Sequence, residues 1–292
     1  MKVSDDASSV QPTSRHGRRL ACGACLVAAP AVVVVALWLA EVPLNVTRAH
    51  VGMCLSCCGD PPAPLDDLKF NVLVIGDSIS MEYTPLVAER LADVAVVQSG
   101  GGLETNGGNT RKGLRCLDRW LGNGTWDVVH FNHGLWDMVD REHTRWWPAF
   151  PARKRKTWTE QQSVPVDEYA ANVRTYYERL RNRSRVVVFA TTTPVPGCTP
   201  KCTPKHKRSP RKVLDYNAAA LAALPRDAVV VDDVYAAAVG YCGEPFPNAG
   251  CAEVPLLRKG DIHFKAKGYE ALAVNISRAI RGALPPLLEE PP

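Results

Sequence analysis

The sequence lacks a large imbalance of charge. Its 35 lysines and arginines face 30 aspartates and glutamates, a formal net charge of +5 over 292 residues. That excess is too small for a chain devoted to nucleic acid, and no nucleic-acid partner is expected. The sequence also lacks an internal repeat, which sets aside solenoids and propellers. Cys54-Leu-Ser-Cys57 and Cys198-x3-Cys202 have no partnering Cys/His pair at finger-like spacing, which argues against structural zinc. What remains is a chain with 46% apolar residues, enough to bury the core of one sizeable α/β domain with flanking segments.

One stretch lacks charge altogether. Leu20 to Ala40 carries no ionisable side chain other than cysteine, and about twenty such residues are what a helix needs to cross a bilayer. Its length favours an uncleaved signal anchor over a cleaved signal peptide. Arg15, Arg18 and Arg19 precede it and Glu41 follows it, so the positive-inside rule predicts a single-pass type II protein with the rest of the chain in the secretory-pathway lumen or outside the cell. Eight cysteines follow the span: Cys54, Cys57, Cys58, Cys116, Cys198, Cys202, Cys242 and Cys251. An even set in an oxidising compartment suits disulfides, with Cys198–Cys202 and Cys242–Cys251 as loop staples among other pairings. N-glycosylation patterns at Asn45, Asn123, Asn182 and Asn275 agree with a luminal placement.

Composition divides the chain into a basic tail (1–19), the span (20–40), a Pro/Cys-rich stem (41–68), a folded domain (69–284) and a Pro-rich tail (285–292). Within the domain, short runs rich in Val, Ile and Phe predict strands at Phe70 to Ile75, Val94 to Val97, Asp127 to Asn132, Arg185 to Thr192 and Ala228 to Val231. Between and after them, helices are expected at Glu82 to Ala92, Lys112 to Leu121, Asp167 to Arg181, Arg211 to Leu224 and Lys265 to Arg281. This alternation predicts a three-layer α/β/α sandwich around a five-stranded parallel sheet, with the active site at the carboxyl ends of the strands. Two long loops, 141–166 with its tryptophans and 194–212 with its basic residues, are expected above that edge.

The first strand ends in Gly76-Asp77-Ser78-Ile79-Ser80. A serine at a strand-to-helix turn exposes its hydroxyl and can aim its own N–H at a developing oxyanion. A serine hydroxyl needs a base, and His263 in Gly260-Asp261-Ile262-His263-Phe264 is the best candidate, because Asp261 two positions earlier can orient its imidazole. His16 is cytosolic, His50 lies in the stem, and His143 and His206 lie in basic loops. His130 and His133 read as packing or capping residues at the third strand.

These blocks resemble the SGNH (GDSL) hydrolases, a superfamily of serine esterases with a flavodoxin-like fold. Gly76 to Ser80 is similar to that family's first block and Asp261 to Phe264 to its last. Asn106-Gly107-Gly108-Asn109-Thr110 resembles the glycine block, which implies an oxyanion N–H at Gly108. Phe131 to Asp137 resembles the third block. There the resemblance departs, since Trp136 stands where the family has an oxyanion asparagine, and Asn132 is the candidate to replace it. The Asp–His spacing is also one residue shorter than usual. Asp261 remains the candidate orienter, and Asp232 or Asp233 the alternative. The resemblance implies hydrolysis of a small acyl ester, most readily acetyl, on a carbohydrate, with no metal or organic cofactor. The alternatives are a polysaccharide O-acetyltransferase carrying similar blocks and a non-catalytic sugar-binding module. Arg111 is read as a solvated residue at a helix start ahead of a substrate ligand.

Overall fold

The computed structural model describes residues 58–145, 155–195, 208–240 and 262–285, with the backbone alone at 140–145 and 155–161. Five strands form a parallel sheet: β1 (Phe70–Ile75), β2 (Ala95–Ser99), β3 (Trp126–Phe131), β6 (Ser184–Ala190) and β7 (Val230–Asp232), in the order β2-β1-β3-β6-β7. This is the expected five-stranded doubly wound arrangement, and its strand order reverses at β1, between β2 and β3.

The central strands are apolar on both faces because helices cover both. Residues 71–75 of β1 are buried, and Val72 lies in register with Val97 of β2 and Val128 of β3. Helices α1 (Ser78–Leu91) and α6 (Ala266–Ala283) pack together, while α2 (Thr110–Leu121), α3 (Val166–Leu180) and α4 (Pro210–Ala223) form a second packed set. A short helix, α5 (Val234–Gly240), follows β7 and leans on α6. Leu73, Ile75, Phe131, Phe189, Trp120 and Trp126 are among the largest fully buried side chains. Phe131 stacks on Tyr176 of α3 at 5.5 Å and tilts against Phe189 at 5.3 Å, so aromatic contacts tie β3 to β6 and to the helix above.

Three expectations need adjustment. The 141–166 segment, read as loop, holds an antiparallel ribbon of β4 (Asp140–Arg145) and β5 (Arg155–Gln162) after β3. Helix α1 begins at Ser78 and not at Glu82, because the Asp77 side chain caps it by accepting from the Ile79 N–H at 2.9 Å. The compact unit begins at Cys58, ahead of the expected boundary at 69. Cys58 forms a disulfide with Cys116 of α2, its carbonyl accepts from Trp120 Nε1 at 2.7 Å, and Asp60 N donates to Gly101 O at 3.1 Å. The proposed staples Cys198–Cys202 and Cys242–Cys251, and the apolar run 20–40, lie outside the described residues. Among the described residues no helix is long and apolar enough to cross a membrane.

Candidate active site

Ser78 is the first residue of α1, directly after β1 and the capping Asp77. Gly107 N donates to Gly76 O at 2.8 Å, which draws the β2–α2 loop onto the β1 turn. A Cβ on Gly107 would stand 2.4 Å from that carbonyl, so this approach requires glycine. The close contact is what brings the 106–109 block beside Ser78.

His263 precedes α6. Its neighbour Phe264 is buried and meets Tyr269 edge-on at 5.7 Å, which anchors the segment as α6 starts. With α6 packed on α1, His263 Nε2 lies 2.9 Å from Ser78 Oγ, across a sequence separation of 185 residues. That distance allows one hydrogen bond between the two, its direction set by the ring's tautomer. Asp261, the expected orienter, lies outside the described residues. The two alternatives are committed elsewhere. Asp232 Oδ2 is 3.0 Å from His130 Nε2, and its Oδ1 accepts from Asn275 at 2.8 Å. Asp233 Oδ1 accepts from Thr191 Oγ1 and from the Ala236 N–H of α5.

The oxyanion candidates differ in readiness. Among the described residues the Ser78 N–H has no acceptor. Gly108 N donates to Asn106 Oδ1 at 2.8 Å, so it reaches an oxyanion only if Asn106 yields. Asn132, at the end of β3, gives one amide hydrogen to Ala190 O at 2.8 Å and retains a second.

Beneath this edge runs a buried polar layer. Asp137 accepts from both the N–H and the hydroxyl of Thr110, at 2.9 and 2.6 Å, and Asn172 Nδ2 donates to the same hydroxyl. His133 Nδ1 is 3.0 Å from Gly108 O and its Nε2 is 3.0 Å from Tyr176 Oη. Burial raises the Asp137 carboxyl to about 7 against the pull of its Thr110 hydrogen bonds, and burial lowers the His133 imidazole to about 4. The two oppose each other in stability. Asp137 favours the folded state at low pH and loses that contribution as pH rises from about 4 to about 7. His133 destabilises the folded state as pH falls from about 6.5 to about 4, where the unfolded chain takes up a proton that the buried ring refuses. Asp137→Asn is therefore expected to unmask His133: stability to urea rises by about 3 kcal/mol between pH 4 and 6.5, while the parent stays comparatively flat. Parallel profiles for the two proteins would refute this balance.

Two residues that mattered less in the sequence stand out here. Arg208 is 5% exposed, donates through Nε to Leu135 O and lies over the Trp136 ring at 5.6 Å. Its charge helps to hold down the Asp77 carboxyl, which burial otherwise raises. Trp136 is 42% exposed, so one indole face carries the guanidinium while much of the ring remains open to solvent. In the sequence Arg208 is only one of several cations in a basic loop, with no signal to separate it from the others. Arg111 pairs with Glu168 of α3 and donates to Ser163 O at 3.1 Å, joining α2 to α3 as an interhelical link. Among the described residues no group of three or more His, Cys, Asp or Glu side chains is placed to hold a metal ion. An apolar groove between α4 and β7, lined by Leu221, Leu224, Val229 and Val231, contains none of these site residues.

No protein-family model matches the chain, and no curated protein matches it in sequence. Solved structures do. A GDSL-like lipase from Bacteroides thetaiotaomicron superposes with a TM-score of 0.53 at 15% identity, covering 81% of this chain and 98% of that one. An acetyl xylan esterase matches with a TM-score of 0.53 at 17% identity, over 72% of this chain and all (100%) of the other. An acetylxylan esterase from Geobacillus stearothermophilus gives 0.50 at 16% identity, over 74% and 96%. At these identities the likeness is one of fold: the chain has the α/β architecture of GDSL-type lipases and acetyl xylan esterases.

Proposed function

We propose that the chain is a serine esterase that removes a small acyl group, acetyl above all, from a carbohydrate. The observation that carries this reading is the 2.9 Å approach of Ser78 Oγ to His263 Nε2 at the carboxyl edge of a parallel sheet. In the proposed reaction Ser78 attacks the ester carbonyl while His263 Nε2 takes its proton, with Asp261 holding the Nδ1 proton. The protonated imidazole then returns the proton to the leaving alcohol, and water releases the acyl group by the same steps. The oxyanion is met by the Ser78 N–H, by the free amide hydrogen of Asn132, and by Gly108 once Asn106 lets go.

The carbohydrate assignment draws on what the acetyl xylan esterases of like fold are named for, and on Trp136. An exposed indole offers a flat apolar face to a sugar ring, and the Arg208 cation behind it fixes its orientation. Anchorage through residues 20–40, with the domain in the lumen or outside the cell, completes the proposal.

The test is covalent. The chain, produced in an oxidising host, is treated with a fluorophosphonate and its hydrolysis of p-nitrophenyl acetate is followed in parallel. Loss of activity together with a single adduct on the Ser78 peptide supports the esterase. Full activity without an adduct, or an adduct elsewhere, overturns it. A companion expectation concerns Trp136→Ala: KM for an acetylated oligosaccharide rises about tenfold, the loss of one stacking contact, while p-nitrophenyl acetate hydrolysis stays within about twofold. Equal effects on both substrates would remove Trp136 from sugar recognition.

A further inference from the structure

The four glycosylation patterns are indistinguishable in sequence, and the fold separates three of them. Asn123 and Asn182 are exposed, in the turns that lead into β3 and β6, and among the described residues neither side chain makes a hydrogen bond. The two turns form one unit: Trp126 N donates to Arg183 O at 2.9 Å, and Arg183 Nη2 donates to Gly122 O at 2.6 Å and Gly124 O at 2.9 Å. The backbone around both asparagines is therefore held while their amides face solvent. Because the sheet is parallel, both turns lie at its amino edge, opposite the carboxyl edge that carries Ser78.

Asn275 differs in where it lies and in what its amide holds. It lies inside α6, and its Nδ2 is already a donor at 2.8 Å to Asp232, a carboxylate only 3% exposed. The hydroxyl residues do not separate the sites, since Ser277 of this pattern is 7% exposed and Ser184 of the Asn182 pattern 8%; the engaged amide of Asn275 does. A glycan there would have to be accommodated on a nitrogen engaged with a buried acid.

We infer that Asn123 and Asn182 carry N-linked glycans in the folded protein and that Asn275 does not. The donor class is an oligosaccharide on a polyprenyl diphosphate: the Nδ2–C1 bond forms, the sugar–phosphate bond breaks, the amide proton is lost and the polyprenyl diphosphate departs. The buried Cys58–Cys116 disulfide supports the same assignment independently, since a bond of that kind persists in the oxidising compartment where this transfer takes place. Glycans at the amino edge leave the Ser78 edge open to substrate.

The experiment uses the full chain secreted or displayed by a eukaryotic cell on a Thr47→Ala background, which removes the Asn45 pattern. Treatment with an N-glycosidase should lower the mass in two increments. Asn123→Gln and Asn182→Gln should each remove one increment, and together both. Ser277→Ala deletes the third pattern while keeping the Asn275–Asp232 hydrogen bond, and should change neither the number of increments nor the thermal stability. The inference is overturned by an absence of glycosidase-sensitive mass, by an increment insensitive to both glutamine variants, or by an increment lost in Ser277→Ala.

Discussion

Ser78→Ala is expected to lower ester hydrolysis by roughly five orders of magnitude, and His263→Ala by nearly as much. The reason lies in how the two groups act. Without Oγ there is no nucleophile, and without Nε2 at 2.9 Å the hydroxyl keeps its proton at neutral pH. Because they work as one unit their losses should not add: the double variant should be about as active as the poorer single one, with residual turnover from the oxyanion donors and substrate positioning. Both side chains are half-buried and neither fills the core, so far-UV circular dichroism and melting temperature should be near those of the parent. Kinetics on p-nitrophenyl acetate decide the matter. A tenfold loss or less in His263→Ala, or losses that multiply in the double variant, would dissolve the proposed pair. Asp261→Asn should fall between, about 10³- to 10⁴-fold down, since an orienting carboxylate is worth less than the base it holds.

The second large effect is on stability. Gly113 lies on the face of α2 that meets α3, and a Cβ there would stand 1.8 Å from Tyr176 Oη and 2.8 Å from His133 Nε2. Gly113→Ala should cost about 4 kcal/mol in chemical denaturation, combining overpacking with rupture of the buried Tyr176–His133 hydrogen bond. Helix propensity would favour alanine by up to about 1 kcal/mol, so the sign itself is diagnostic. Removing the obstructing oxygen tests the mechanism: Tyr176→Phe combined with Gly113→Ala should lose less than the two single changes summed. The rescue should be partial, because Tyr176 Cζ would remain 2.8 Å away. Additive losses would mean that the obstruction lies elsewhere. The same hydrogen bonds run on to Gly108 O, so activity should fall further than the folded fraction alone explains.

Much of this protein was legible in its residues. The alternation of Val/Ile/Phe runs with longer amphipathic stretches is a local property, and it predicted five parallel strands and their covering helices because strands buried on both faces leave a continuous apolar signature. The placement of Ser78 at a strand-to-helix turn was legible for a similar reason: Asn71 to Ser78 is one uninterrupted strand and turn. The ribbon β4–β5 was not, because its strands Asp-Arg-Glu-His-Thr-Arg and Arg-Lys-Thr-Trp-Thr-Glu-Gln-Gln carry little apolar content, and their pairing depends on each other.

Long-range choices were out of reach of local pattern. Eight cysteines after the apolar run allow many pairings, and Cys58 joins Cys116 because α2 packs beside the start of the compact unit, 58 residues away in sequence. Asp232 and Asp261 were both open to orient His263, until β7 placed Asp232 against His130 and Asn275. Gly108 reads as an oxyanion donor, yet its N–H is held by Asn106, a contact that depends on backbone geometry in the loop. The element order, the parallel sheet and the place of Ser78 at a strand end thus follow from short-range spacing and apolar period. Which groups face Ser78, which acids are spent elsewhere, which asparagines meet solvent and where Arg208 meets Trp136 follow only from packing, since each is set by residues tens to hundreds of positions apart.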